Sequence, residues 1–107
     1  MIKWCKNLYL DEEVGKKPKK WIKRVEKERP AYDLYCVCLP SNPENLFDII
    51  NVNELLFRYY RRRGIVIAGL AKSRYGAETL VMEIVEDMLR TTGELRVKEY
   101  FGLDEKD

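Results

Sequence analysis

Residues 65–71, Ile-Val-Ile-Ala-Gly-Leu-Ala, are apolar at every position. The run is too short for a helix on its own and is β-branched at its start, so it reads as a strand covered on both faces. A covered strand constrains the whole chain, because something must pack above and below the sheet that contains it. Residues 32–39, Tyr-Asp-Leu-Tyr-Cys-Val-Cys-Leu, form a second run that is apolar at nearly every position, and Pro40 closes it.

Helical periodicity supplies the covering layers. Over residues 76–92, Ala77, Leu80, Val81, Ile84, Val85, Met88 and Leu89 fall on one face, Glu83, Glu86 and Asp87 face away, and Gly93 stops the helix. From Pro18 to Arg29 the apolar residues Trp21, Ile22 and Val25 make a thin stripe, with Pro18 suited to the first turn and Pro30 ending the segment. Before it, Ile2, Trp4, Leu8 and Leu10 occupy even positions, as in a half-buried strand that Asp11-Glu12-Glu13 and Gly15 terminate.

Between the two apolar runs, Ser41 or Asn42 can cap a helix with Pro43 or Glu44 in its first turn. Leu46, Ile49, Ile50, Phe57 and Tyr60 then share a face, which predicts a helix over residues 44–63. Asn51 and Glu54 offer a second capping box, so a kink or break is expected near Asn51. Arg61, Arg62 and Arg63 complement the helix dipole before Gly64. Residues 94–101 read as an edge strand, with a short terminal helix as the alternative.

Two covered strands joined by a helical crossover are expected to be parallel neighbours or near-neighbours with a right-handed connection. The predicted fold class is α/β: a small layered domain with a mostly parallel sheet of three or four strands, in the order βαβαβα with residues 94–101 as the fourth. The length of 107 residues suits a single domain over residues 1–107, with residues 102–107 as a flexible tail. The longest apolar stretch is far below a membrane span, and lysines interrupt the first residues where a secretory signal would be apolar. A cytoplasmic protein that does not enter the membrane is expected. Cys5, Cys36 and Cys38 are then reduced and buried, since Cys36 and Cys38 on one strand are badly aimed for a disulfide.

The chain has no histidine, which removes the side chain most used for proton transfer near neutral pH. No catalytic residues, no cofactor and no metal site are nominated. Cys36 and Cys38 supply only two of the four ligands of a structural zinc, and Asp11, Glu12 and Glu13 read as a solvated loop rather than a magnesium site.

Charge is unevenly spread. The net charge is only +2, yet residues 16–29 hold eight Lys or Arg against two Glu, while residues 83–87 and 104–107 are acidic. Lys16, Lys20, Lys23 and Lys27 recur at helical spacing opposite Trp21, Ile22 and Val25, which makes a candidate nucleic-acid face or a solvated one. Arg58 and Arg61 to Arg63 could extend that face. A second candidate is the loop between the apolar run of residues 65–71 and the helix after it. There Lys72, Ser73 and Arg74, with Gly76 at the helix start, could hold a phosphate or carboxylate, joined by the loop of residues 40–45 if the strands are parallel. That loop matches neither a Walker A nor a dinucleotide fingerprint. Seven tyrosines, two tryptophans and a candidate edge strand instead favour a non-catalytic module that binds a protein partner or a second copy of itself. A small-anion or nucleotide-binding regulatory domain and a nucleic-acid accessory protein are the alternatives.

Overall fold

A computed structural model describes residues 2–31, 33–40, 42, 44–56 and 64–102. The chain forms a small α/β domain around a four-stranded sheet of order β1-β4-β2-β3. Its strands are β1 (Ile2–Leu10), β2 (Tyr35–Cys38), β3 (Asp48–Asn51) and β4 (Ile65–Ala71). The helices are α1 (Glu12–Lys16), α2 (Pro18–Glu26), α3 (Arg74–Thr92) and α4 (Val97–Tyr100), and a 3-10 helix (Val52–Leu56) follows β3. Among the described residues no helix is long and apolar enough to cross a membrane.

The sheet is mostly antiparallel, not mostly parallel. β1 pairs parallel with β4, but β2 is antiparallel to both β3 and β4. The two covered runs are neighbours, as expected, with opposite direction. The cause lies in residues 39–51, where the predicted helix over residues 44–63 gives way to a hairpin ending in β3 and then the 3-10 helix. Asn42 does cap, but it caps a turn: its side chain accepts the Glu44 amide at 3.0 Å, and its carbonyl accepts the Asn45 amide at 2.9 Å. The β-branched pair Ile49-Ile50 then pairs with Val37 and Cys36. The break expected near Asn51 is present as the start of the 3-10 helix, where the Glu54 carboxylate accepts the Asn51 amide at 3.2 Å. Arg58 and Arg61 to Arg63 lie outside the described residues.

Each face of the sheet carries its own core. On one face Cys36, Cys38, Ile50, Ile65, Ile67 and Leu70 pack with Val14 and Val25 of α1 and α2, and Ile2, Trp4, Leu8 and Leu10 join them as the even-position pattern predicts. On the other face Val37 and Ala68 pack under Ala77, Leu80, Ile84 and Met88 of α3. Leu89, expected on that face, is exposed. β4 presents Ile65 and Ile67 to the first core and Ala68 to the second, then Leu70 to the first again. A register shift against each neighbour lets it change parity there. Gly69 sits at this point because a Cβ would lie 3.1 Å from the Tyr9 carbonyl oxygen and 3.2 Å from Leu80 Cδ1. Cys5, Cys36 and Cys38 are buried and form no disulfide with one another, and the Cys36 thiol donates to the Ile50 carbonyl at 3.3 Å.

Residues 97–100 are the helix α4 rather than an edge strand. Four consecutive residues deliver Tyr100 and Phe101 to the α3 face, and the Phe101 ring stands edge-on to Tyr9, Phe47 and Tyr100. The Tyr9 hydroxyl donates to Asp87 Oδ2 at 2.7 Å, which leaves the Tyr100 hydroxyl to donate to the Tyr9 oxygen at 2.7 Å. Desolvation, with these two hydrogen bonds, raises the Tyr9 pKa, and burial pushes the Cys5 thiol up from 9.0 to about 11. Both groups keep their protons longer when folded than when unfolded. Their stabilising contribution is therefore complete below pH 9.0 and declines as pH rises towards 11, with Tyr9 acting in the same direction from the ordinary tyrosine range upward. The urea midpoint should fall over this alkaline window, and Tyr9→Phe should make the fall shallower; parallel profiles for the two proteins would show that Tyr9 is not a source.

Candidate anion-binding face

Parallel pairing of β1 with β4 sets Leu10 beside Leu70, so the chain leaves both strands at the same end of the sheet. Asp11 leaves β1 there and caps α1, its Oδ1 accepting the Val14 amide at 2.8 Å. Its other oxygen accepts the Lys72 amide at 2.9 Å. Ser73 caps α3 in the same way, with Oγ accepting the Gly76 amide at 2.9 Å. Glycine at position 76 gives this arrangement room, because a Cβ would stand 3.1 Å from both Asp11 Oδ2 and Ser73 Oγ, tighter than ordinary contact.

The four residues expected to hold an anion here are thus adjacent, but their functional groups diverge. Ser73 Oγ is engaged at the helix cap, exposed Arg74 reaches Glu78 at 3.7 Å, and Lys72 Nζ lies 4.3 Å from the centre of the Trp21 ring. An intrinsic carboxylate already stands at the Lys72 amide. The loop of residues 40–45 does not join them, because β2 runs antiparallel to β4 and leaves the sheet at the opposite end. There Pro40, Asn45 and Leu46 face Leu95 and Val97 across a cavity of about 460 Å³.

Trp21 connects the two candidate regions. Lys20 Nζ lies 4.6 Å from its ring centre, alongside Lys72, so the basic surface of α2 and the strand-end loop meet at one half-buried indole. The lysine stripe itself is not continuous along one helix. Lys16 ends α1, Lys17 breaks the chain direction, and Lys27 is the C-cap of α2.

What replaces the stripe is a cluster. Lys20, Lys23, Arg24, Lys27 and Arg29 line one concavity of about 150 Å³. It is built by the way α2 ends: the Arg29 amide reaches back to the Arg24 carbonyl at 3.0 Å and the Glu28 amide to Val25 at 3.0 Å, with Glu28 at φ 55°. This is a Schellman turn with glutamate in the left-handed position that glycine usually fills. The turn folds Lys27 and Arg29 back beside Lys23 and Arg24, and Arg24 Nη1 is tied to the Pro30 carbonyl at 2.9 Å. None of the five cations forms an ion pair with a carboxylate of the described residues. Glu26, on the same helix, accepts the Trp4 indole N–H at 3.1 Å. Periodicity located Lys20, Lys23 and Lys27; Arg24 shares the same helical spacing, four residues after Lys20 on α2, and Arg29 joins through the turn. Among the described residues no group of three or more Cys, Asp or Glu is placed to hold a metal ion.

Asp11 is the test of how this edge is held. Asp11→Ala removes a helix cap and leaves the Lys72 amide without its acceptor, an expected loss of about 2 to 4 kcal/mol in urea denaturation. Asp11→Asn keeps an acceptor at only one of the two amides and sets its NH2 group against the other, so its loss should be smaller than that of the alanine variant without vanishing. A loss below about 1 kcal/mol for the alanine variant would mean that water replaces the carboxylate. Comparison of the chain with protein families, with curated proteins and with solved structures finds no match.

Proposed function

We propose that the protein is a non-catalytic module that binds a polyanionic partner through the basic face of α2. The observation that carries this reading is the cluster of Lys20, Lys23, Arg24, Lys27 and Arg29 around one concavity, unneutralised by carboxylates of the described chain. Gathering like charges costs folding energy, and an anion that enters the cluster relieves it. A binding role is favoured over catalysis because the chain has no histidine, and because Cys5 and Tyr9 are shifted away from neutrality, the wrong direction for a nucleophile or base. The strand-end loop is the lesser candidate, since an external anion there would compete with Asp11.

Single-stranded RNA binding at low salt tests the reading. A dissociation constant of roughly 1–100 µM is expected, with log K falling about 2 to 3.5 per decade of salt if three to five phosphates are engaged. Lys20→Glu with Lys23→Glu should weaken binding at least about tenfold. No binding at these concentrations, or equal binding by the double variant, would refute it.

A protein-interaction reading has its own support. On α3, Tyr75, Met82 and Leu89 are 78%, 65% and 45% exposed at seven-residue intervals, the spacing of a helix-pairing seam. If this surface drives self-association, light scattering should show a dimer that Met82→Glu converts to a monomer. A monomer at all usable concentrations would remove that support for self-association.

A further inference from the structure

The shape of the basic cluster narrows what it can bind. A nucleic-acid backbone carries one charge per phosphate with a sugar between each, so it is best met by cations strung along a path. The cations of α2 are not strung out. Five of them face one concavity of about 150 Å³, while Lys16 and Lys19 lie outside its lining. That volume equals roughly five water molecules of liquid. The convergent cations around it suit consecutive phosphoryl groups sharing bridging oxygens better than backbone phosphates spaced by sugars.

Two further features suit a compact, highly charged ligand. Arg24 is pinned through Nη1 to the Pro30 carbonyl, which holds its planar fork in place before a ligand arrives. The Schellman turn at Glu28 fixes the main chain of Lys27 and Arg29 beside Lys23 and Arg24 through backbone hydrogen bonds of 2.9 to 3.0 Å, so only the side-chain rotamers remain to be set by a ligand. Resting on the polyanion reading above, we propose that this concavity is a site for a short oligophosphate, either free or as the tail of a nucleotide.

Calorimetric titration of the full chain at low salt with orthophosphate, pyrophosphate, tripolyphosphate, a nucleoside triphosphate and a short single-stranded RNA tests the proposal. Tripolyphosphate is expected to bind at least about tenfold tighter than orthophosphate and to displace the RNA. A nucleoside triphosphate that binds as well as tripolyphosphate identifies the nucleotide tail as the source, and one that binds much more weakly identifies the free oligophosphate. Lys23→Gln with Lys27→Gln should lower tripolyphosphate affinity about tenfold or more, whereas Lys16→Gln with Lys19→Gln, the same change of charge outside the concavity, should lower it by less than about threefold. Equal losses in the two double variants would overturn the site, because general electrostatics would then account for binding. RNA binding without tripolyphosphate binding or displacement would also overturn it while leaving the polyanion reading intact. Binding of neither would remove both.

Discussion

Two segments separated by 61 positions meet at the Asp11 carboxylate, which holds the Val14 amide with one oxygen and the Lys72 amide with the other. The first bond starts α1, and the direction of α1 determines where α2 can lie. The second fixes the turn from which α3 departs over the opposite face of the sheet. One side chain thus sets the relation between the two helical layers at this end of the molecule. It also leaves Lys72 beside Trp21, which is how the α2 surface and the strand-end loop come to share an indole. Gly76 belongs to the same constraint, since any larger residue would press on that carboxylate.

Much of the layered architecture was legible because burial leaves periodic marks. The even positions of β1, the unbroken apolar run of β4 and the long stripe of α3 each appear where hydrophobic spacing places them. Strand direction left no such mark. A strand covered on both faces reads the same in either orientation, and direction was decided by the connection at residues 39–47, where Asn42 closes a turn with the chemistry that also caps helices. The helix predicted over residues 44–63 failed for a related reason: Leu46, Ile49 and Ile50 fit a helical face, but the β-branched pair found partners on β2. The parity change at Gly69 was hidden too, because a run that is apolar throughout hides which face each residue serves.

The candidate site was legible in part, and the division is physical. Helical spacing identified Lys20, Lys23 and Lys27 as neighbours, and they are. It also enrolled Lys16, which lies on the far side of a helix break, passed over Arg24 although it sits four residues after Lys20 on α2, and missed Arg29, which a backbone turn brings in. Turns of that kind usually announce themselves by glycine. Here Glu28 takes the left-handed conformation, so the signal that would have revealed the cluster is absent from the sequence. At the strand end, the loop residues were placed at the correct edge of the sheet, but Asp11 was read as a strand terminator rather than as their partner.

The parallel pairing of β1 with β4 sets an order of events during synthesis. Ile2 is registered against Ile65, so β1 acquires its sheet neighbour only after residues 11–64, which separate the two strands, have been made. At ordinary elongation speeds of about 5 to 20 residues per second, β1 and its Trp4, Leu8 and Leu10 wait for several seconds without the surface they are shaped to join. The β2–β3 hairpin, by contrast, closes over only nine intervening residues and can form early. The nascent chain therefore presents an apolar, lysine-studded amino-terminal strand to whatever attends the ribosomal exit, until β4 emerges and separates it from β2.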